Sequence, residues 1–319
     1  MRASTVLVVA QAQDVAADLA VDALLTHGAT VERIDDDDAP RVLSPNAAAD
    51  LIDGPGHLCA GKRLIDLSAV RGVYRRSPVR FAFGALTPVP EAQPTALESV
   101  FGLGGVLTDQ PWRWIDRPNA VVEATVRPRQ LSVAAECELR VPRSIVTNVA
   151  DQVRAFAARV GALAYKPLST GIVVNQDKAR IGYTSRLEAD DLDDEAITLC
   201  FPLLQEWIPK ASDVRLTAVG HRCFAVAAHA GSPEAEIDWR SRHDDLHYEV
   251  CEPPADVRRG VQAYLREFGL TFGAFDFSVT PDGRWWFLEC NPVGQWGWLA
   301  EETGLPIADA IATELMDAP

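Results

Sequence analysis

The chain has 319 residues, of which 48% are apolar and 24% charged, a balance typical of soluble globular proteins. This length allows two or three compact units. The formal net charge of −15 disfavours nucleic acid as a partner, and no apolar run approaches the roughly 18 residues of a membrane span. Six scattered cysteines without a CxxC pair indicate reduced thiols and a cytoplasmic protein.

The N-terminal part of the sequence predicts a small parallel α/β unit. Residues 5–10 form a continuous apolar run, typical of a buried strand. Residues 14–27 have apolar side chains at helical spacing and end before Gly28, a common residue at helix C-termini. Further strands are predicted at 30–34 and 70–74. Because no GxGxxG motif follows the first strand, Rossmann-type dinucleotide binding is disfavoured.

Two polar motifs in the middle of the chain are candidates for nucleotide contacts. Lys166 lies in an apolar strand before a Ser-Thr-Gly turn, where a cation can hold a phosphate. The alternative is a lysine that extends to solvent from a sheet edge. Glu206, within Gln205-Glu206-Trp207-Ile208, ends a later strand, where a carboxylate and backbone groups can bind an adenine edge. The alternative is a surface glutamate.

Two arginines are candidates for contacts with phosphoryl groups. Asp213 and Arg215 are two residues apart on a predicted strand and therefore share a face. Arg215 in this position can stabilise an acyl phosphate, or alternatively form an ordinary cross-strand ion pair. Arg240, the last residue of the Asp-Trp-Arg element at 238–240, is the second candidate.

A hairpin near the C-terminus predicts a metal site. With a two-residue turn at 282–283, or a four-residue loop at 281–284, Asp276 lies directly opposite Glu289. Asn291, two residues further, projects from the same face. Opposed carboxylates repel each other, so a cation between them is expected. Three oxygen donors of this kind are typical of magnesium held together with nucleotide phosphates.

The hairpin has an alternative register. A three-residue loop with a bulge at Gly283 would send Asp276 and Glu289 to opposite faces of the sheet. Incidental acids on a solvated hairpin face are the other alternative. Elsewhere the sequence has no GxSxG motif, Walker loop or HExxH motif, which disfavours a serine hydrolase, a P-loop enzyme or a zinc enzyme. His243 and His247 are four residues apart, but the residues between them do not indicate a clear helix.

Taken in chain order, these motifs resemble the ATP-grasp ligases. Residues 289–296, Glu-Cys-Asn-Pro-Val-Gly-Gln-Trp, are especially similar to the RimK-like ATP-grasp enzymes that macrocyclise ribosomal peptides, the microviridin-type or graspetide maturases. Residues 131–134 followed by 139–148 are similar to that family too, as are residues 72–78, Gly-Val-Tyr-Arg-Arg-Ser-Pro. The resemblance spans most of the chain.

The resemblance implies an α/β (α+β) ATP-grasp fold that binds ATP and Mg²⁺. Its units would be an N-terminal parallel α/β domain at 1–118, a central lid domain at 119–202 and a C-terminal ATP-binding domain at 203–319, with ATP between the last two. The resemblance implies that the nucleotide contacts Lys166, Gln205, Glu206, Trp207, Ile208 and Asp213. It implies that Arg215 and Arg240 face the acyl phosphate. The implied metal ligands are Asp276, Glu289 and Asn291.

The chain departs from the family pattern at two positions. Arg127 stands where the family usually has a lysine in the first ATP-binding helix region. Asp116-Arg-Pro118 stands where Asn-x-Pro is expected. Arg127 keeps the positive charge but not the point-charge geometry of lysine, and a nucleotide contact is expected of it.

The predicted activity is ATP-dependent ligation on a precursor peptide with a leader and a core. A substrate Asp or Glu carboxylate would become an acyl phosphate, which a Ser or Thr hydroxyl or a Lys amine of the same peptide would attack. The product would be an ω-ester or ω-amide cross-link. Homodimerisation is common in the resembling enzymes, whereas nucleic acid and membrane are not expected partners. The alternatives are a RimK-like ligase that adds a free amino acid and a nucleotide-binding regulatory module without turnover.

Overall fold

The computed structural model describes residues 4–35, 48–50, 54–60, 63–76, 102, 104–168, 172–175, 178–181, 184–232, 237, 239 and 246–317. Its strands are β1 (Thr5–Ala10), β2 (Thr30–Asp35), β3 (Ala48–Asp50), β4 (Gly54–Ala60), β5 (Arg63–Asp66), β6 (Val70–Arg75), β7 (Arg113–Ile115), β8 (Ser144–Val146), β9 (Leu163–Lys166), β10 (Ile172–Asn175), β11 (Lys178–Ile181), β12 (Ser185–Leu187), β13 (Leu203–Glu206), β14 (Ser212–Val219), β15 (Arg222–Ala230), β16 (Leu246–Cys251), β17 (Phe272–Val279) and β18 (Trp285–Asn291). Helices cover α1 (Val15–Thr26), α2 (Pro118–Ala124), α3 (Arg127–Glu136), α4 (Ala150–Val160), α5 (Asp194–Thr198), α6 (Ala255–Phe268), α7 (Gly297–Thr303) and α8 (Ile307–Met316). No helix in these ranges combines the length and the apolar character needed to cross a membrane.

The N-terminal layer is a parallel sheet in the order β2-β1-β6-β7. The whole of β1 is buried, as its continuous apolar run predicts. Asp14 begins α1, because its carboxylate accepts a hydrogen bond from the Ala17 N–H at 3.0 Å. The predicted β-α-β start is therefore confirmed. A small antiparallel sheet of β3, β4 and β5 is also present.

The central sheet is antiparallel, in the order β12-β9-β13-β8. One side packs on α4 through Val153, Phe156 and Ala157. Lys166, the last residue of β9, is paired with Leu203, the first residue of β13. This pairing places the lysine at the opposite end of β13 from Glu206, the residue after which the chain leaves the central sheet.

The C-terminal layer is an antiparallel sheet in the order β16-β15-β14-β17-β18. One face is covered by α6, whose Tyr264 packs against Phe275 and Phe287. The other face meets α1 and α8, with Phe272 and Ile311 in one shared core. Because strand side chains alternate between faces, Asp276 points away from the α6 side. The site is therefore built on the face that looks toward the other two layers.

We propose that the division into units at 1–118, 119–202 and 203–319 describes this layering. β13 lies at the second boundary and pairs with β8 and β9 of the central sheet. The chain thus crosses from the central sheet to the C-terminal sheet directly after Glu206. This crossing brings the end of β13 beside the start of β14.

Candidate functional site

A cleft between the central and C-terminal sheets gathers most of the predicted site residues. Those that line it are Lys166, Gln205, Glu206, Trp207, Ile208, Asp213, Asp276 and Glu289. Other lining residues, to which the sequence assigned no role, are Pro142, Ala164, Thr184, Lys210, Ile237, Trp239, Ser278 and Leu288. Strands β9, β13, β14, β17 and β18 all contribute residues to the cleft.

The turn of the metal-site hairpin differs from the preferred prediction. The Thr280 N–H donates to the Arg284 carbonyl at 3.0 Å, which closes a three-residue loop. Gly283 has a φ of 81°, the left-handed conformation of a bulged hairpin turn. Val279 is consequently paired with Trp285. The prediction of a two- or four-residue loop is wrong, and the alternative three-residue loop is the one present.

A second irregularity, at Leu288, restores the predicted pairing of the two acids. Phe277 is opposite Phe287, so the register set by the turn would place Leu288 opposite Asp276. The register instead shifts between Asp276 and Phe277, which leaves Leu288 as the extra residue of a bulge. Glu289 then takes the position directly opposite Asp276. Both carboxylates therefore face the cleft, as predicted, although for a different reason.

Each of these carboxylates has an arginine partner. The Arg215 Nη1 lies 3.3 Å from the Asp276 Oδ1, and the Arg127 Nη1 lies 2.8 Å from the Glu289 Oε2. All four side chains are at most 25% exposed, so the two positive charges offset the repulsion between the acids in a poorly hydrated setting. Arg127 begins α3 and is thus brought to a candidate metal ligand. Its predicted contact with the nucleotide stays a prediction.

The Asp213 carboxylate is held by a lysine and a serine. The Lys210 Nζ lies 2.5 Å from the Asp213 Oδ2, and the Ser278 hydroxyl donates to Oδ1 at 3.0 Å. Ser278 is the strand partner of Asp213, just as Asp276 is the partner of Arg215. No role was predicted for Lys210. Its only local signal is the three-residue spacing from Asp213, which is uninformative outside a helix.

Lys166 and the predicted adenine hinge lie on adjacent strands. Lys166 is only 7% exposed, which rules out the alternative of a lysine extended to solvent. The Glu206 N–H donates to the Arg143 carbonyl at 2.8 Å, and its carboxylate accepts from the Arg143 N–H at 3.3 Å. The Trp207 N–H donates to the Ala162 carbonyl at 2.9 Å. These contacts fix the hinge segment against its neighbours.

Gln205 carries an acceptor suited to a ligand. Its amide nitrogen donates to the Ser144 hydroxyl at 3.0 Å. Its carbonyl oxygen Oε1 is buried and has no hydrogen-bond partner within the ranges that the structure describes. Leaving a buried acceptor unsatisfied is costly, about 1–3 kcal/mol. A ligand N–H in the cleft, such as the amine of an adenine, would satisfy it.

Asn291 completes a set of three oxygen donors on one side of the hairpin. It is opposite Ala274, two residues along β18 from Glu289. Its side chain is exposed, and its Oδ1 accepts a hydrogen bond from the Val293 N–H at 3.0 Å. Among the described residues, no cluster of three or more His, Cys, Asp or Glu side chains is placed to hold a metal. The predicted set consists of two carboxylates and one amide, and its role as a metal site is still a prediction.

The second predicted catalytic arginine, Arg240, lies outside the described residues. Its neighbour Trp239 is described and is buried at 7% exposure. The Arg215 guanidinium lies 5.3 Å from the centre of the Trp239 ring, and Trp239 in turn packs against Trp298. A planar guanidinium stacked on an aromatic ring keeps a fixed orientation.

Cys290 lies between the candidate metal ligands but offers no nucleophile. Its side chain is 2% exposed and packs in the core under α6. Burial, together with the charge of Asp276, raises the pKa of the Cys290 thiol well above its ordinary value. The thiol is therefore neutral at physiological pH and turned away from the cleft. It is free, as are Cys137, Cys200, Cys223 and Cys251.

No family model and no curated protein matches this chain. Solved structures do match it. Macrocyclase MdnC from Microcystis aeruginosa MRC, bound with precursor peptide MdnA, is 26% identical with a TM-score of 0.85, over 98% of this chain and 100% of that one. Macrocyclase MdnB from the same organism is 27% identical with a TM-score of 0.79, over 99% and 100%. A RiPP-associated ATP-grasp ligase from Chryseobacterium gregarium, in complex with ADP and a leader and core peptide, is 21% identical with a TM-score of 0.87, over 99% and 98%.

These comparisons settle the fold. The similarity covers nearly the whole length of each chain, so it includes the N-terminal layer as well as the two sheets that form the cleft. The chain therefore has the ATP-grasp fold, and the resemblance seen in its sequence is confirmed in three dimensions by macrocyclases and a RiPP-associated ligase.

Proposed function

We propose that this protein is an ATP-dependent ligase that forms intramolecular ω-ester or ω-amide cross-links in a ribosomally made precursor peptide. The observation that carries the proposal is the pairing of Asp276 with Glu289 in the cleft that also holds Lys166 and the hinge segment. MdnC, which is similar over the whole chain, was solved with its precursor peptide, and this supports a peptide substrate here.

The cleft offers partners for the adenine and for the phosphates of ATP. The unsatisfied Oε1 of Gln205 would accept a hydrogen bond from the adenine amine. Lys166 would neutralise phosphate charge, since it is a buried cation at the same cleft. Lys210 would add a second positive charge, held in place by Asp213. ADP and AMPPNP are bound by PsnB, another ATP-grasp ligase with this fold.

The donor set fits magnesium. Asp276, Glu289 and Asn291 would hold the ion, because carboxylate and amide oxygens are the hard ligands that it prefers. When bound, Mg²⁺ would supply neutralisation of the phosphate charge that builds up during transfer. Arg215 and Arg127 already hold the two carboxylates in place on the cleft side of the sheet.

The chemistry needs positioning and charge rather than a protein nucleophile. The substrate carboxylate oxygen bonds to the γ-phosphorus of ATP, the bond from that phosphorus to the bridging oxygen breaks, and ADP leaves. A hydroxyl or amine of the same peptide then bonds to the acyl carbon, and phosphate leaves as the attacking group loses its proton. Arg215, which contacts Asp276 and Trp239, would stabilise the charge, with Arg240 as the proposed second cation.

Mass spectrometry distinguishes this function from its alternatives. Short open reading frames beside the gene are first searched for a Thr/Ser- and Asp/Glu-rich peptide, and the purified protein is incubated with Mg²⁺, ATP and that peptide. Macrocyclisation removes one water per ring, whereas a RimK-like ligase adds the mass of an amino acid when one is supplied. ADP release that does not depend on the peptide, with an unchanged peptide mass, would contradict both. Homodimerisation and a cytoplasmic location stay predictions.

A further inference from the structure

One arginine of the N-terminal layer holds the segment that follows the candidate metal ligand Asn291. Arg76 comes directly after β6, and its side chain is only 2% exposed. Its Nη1 donates to the carbonyls of Gly294 at 2.9 Å and Val293 at 3.3 Å. Its Nη2 donates to the Gln295 Oε1 at 2.7 Å. A single guanidinium therefore binds three successive residues of a segment more than two hundred residues away in the chain.

Arg76 is itself fixed from the opposite side by Asp14. The Arg76 Nε lies 3.2 Å and 3.5 Å from the two carboxylate oxygens of Asp14. The same carboxylate begins α1 by accepting from the Ala17 N–H. All three nitrogens of the guanidinium thus have partners, and its rigid planar geometry leaves it one orientation.

The peptide group of Val293 connects Arg76 to Asn291. Its carbonyl accepts from Arg76, while its N–H donates to the Asn291 Oδ1 at 3.0 Å. The Gly294 N–H donates back to the Asn291 carbonyl at 3.2 Å. A Cβ at Gly294 would lie 2.5 Å from the Cβ of Ala274, so this segment sits flat against β17. The hydrogen bonds therefore run without a break from Asp14 through Arg76 and Val293 to the Asn291 amide.

We propose that Arg76 is a positioning residue for the metal ligand Asn291, acting through the Val293 peptide group. The proposal rests on the proposed function, because it assumes that Asn291 binds Mg²⁺ together with nucleotide. An amide oxygen held at one orientation binds a cation better than one that rotates freely on an exposed strand end. Residues that orient metal ligands typically change metal affinity about 10- to 100-fold when they are replaced. The N-terminal layer would then orient a metal ligand without contributing a ligand of its own.

Calorimetric titration of ADP, with and without Mg²⁺, isolates the metal contribution. In the unmodified protein we expect Mg²⁺ to tighten ADP binding by a measurable factor. In Arg76→Lys the charge beside Asp14 is kept but the fork that reaches Val293, Gly294 and Gln295 is lost. We expect ADP affinity without Mg²⁺ to be unchanged and the Mg²⁺ enhancement to fall about tenfold. Asp14→Asn, which retains a capping side chain, is the second variant and should lower the enhancement in the same direction.

Arg113→Lys is the matched control. It is the same substitution at another arginine that joins the N-terminal layer to the C-terminal part of the chain, through the Asp317 carbonyl at 2.6 Å and the Glu314 carboxylate at 2.5 Å rather than through Val293. It should leave the Mg²⁺ enhancement intact. An equal loss in Arg113→Lys would show that general loosening of the layers is responsible, and would overturn the proposal.

A double-mutant cycle with Asn291→Ala gives the decisive comparison. If Arg76 acts through Asn291, Arg76→Lys has no further effect on the enhancement once Asn291 is alanine. Additive losses would overturn the relay, as would an unchanged enhancement in Arg76→Lys. These outcomes are distinct from failure of the proposed function, in which the unmodified protein itself binds no ADP or shows no Mg²⁺ enhancement.

Discussion

Asp276 lies directly opposite Glu289, and a bulge at Leu288 rather than the turn places it there. Strand side chains alternate, so a slip of one residue sends every side chain to the other face. The three-residue loop closed at Gly283 introduces one such slip, and the extra residue at Leu288 introduces a second that cancels it. The two acids therefore share the cleft face, while Phe287 and Cys290 stay in the core under α6.

Deletion of Leu288 should preserve the metal site. With this residue absent, Phe287 remains opposite Phe277, and Glu289 follows it directly as the regular partner of Asp276. The Mg²⁺-dependent tightening of ADP binding, measured by calorimetry, should be retained within a few-fold. A folded deletion variant that lost this tightening would show that the shape of the bulge matters beyond the register it sets.

Replacement of Gly283 should affect stability but not the site. At a φ of 81°, Gly283→Ala should lower the free energy of unfolding by about 1–2 kcal/mol. Gly283→Asn should lose less, because asparagine tolerates the left-handed region. Urea denaturation measures both. ADP binding with Mg²⁺ should be the same in the two variants, since the bulge determines the register at Asp276.

Glu289→Gln should abolish turnover. The change keeps the shape of the side chain but removes one of two hard anionic ligands and the charge that offsets Arg127 at 2.8 Å. We expect kcat for peptide-dependent ADP formation to fall at least about 100-fold. The matched control is Glu249→Gln on the edge strand β16, where the side chain is 68% exposed. Full activity in Glu289→Gln would refute the metal assignment.

Local patterns predicted the elements of this fold better than the contacts between them. Strand β1 and the strand that carries Lys166 were predictable because a buried strand has a recognisable pattern of apolar residues in the sequence. The bulge at Leu288 was not predictable, because nothing distinguishes a bulged leucine from a regularly paired one in the sequence of an aromatic-rich strand.

Long-range contacts were the other limit. Residues 72–78 and 289–296 were both recognised by resemblance, yet nothing in either predicted that Arg76 binds Gln295 or that Tyr74 accepts from Trp296. Such contacts depend on how the layers pack, which spacing within one segment does not encode. The pairing of Lys210 with Asp213 was missed for a related reason, because the intervening segment has no regular period.

The stability of the protein should depend on Asp116 near neutral pH. This buried carboxylate accepts from the backbone N–H groups of Thr271 at 2.7 Å and Phe272 at 3.0 Å. Burial raises the pKa of Asp116 to about 7, against the opposing effect of those two hydrogen bonds. Since the pKa in the folded state lies above its ordinary value of 3.8, the folded protein binds this proton more tightly than the unfolded chain between these pH values.

The free energy of unfolding should therefore fall as the pH rises from about 4 to about 7, by at most on the order of 1 kcal/mol per pH unit from this group. Asp116→Asn removes the titration. The difference in unfolding free energy between unmodified protein and variant, from urea denaturation, should decline from about pH 5 to pH 7 and then level off. In Asp282→Asn the same difference should stay flat, because a hydrogen bond from Thr280 lowers the pKa of that exposed carboxyl. A flat difference for Asp116→Asn as well would mean that the Asp116 carboxylate is ionised throughout this range, with its two backbone N–H donors outweighing burial.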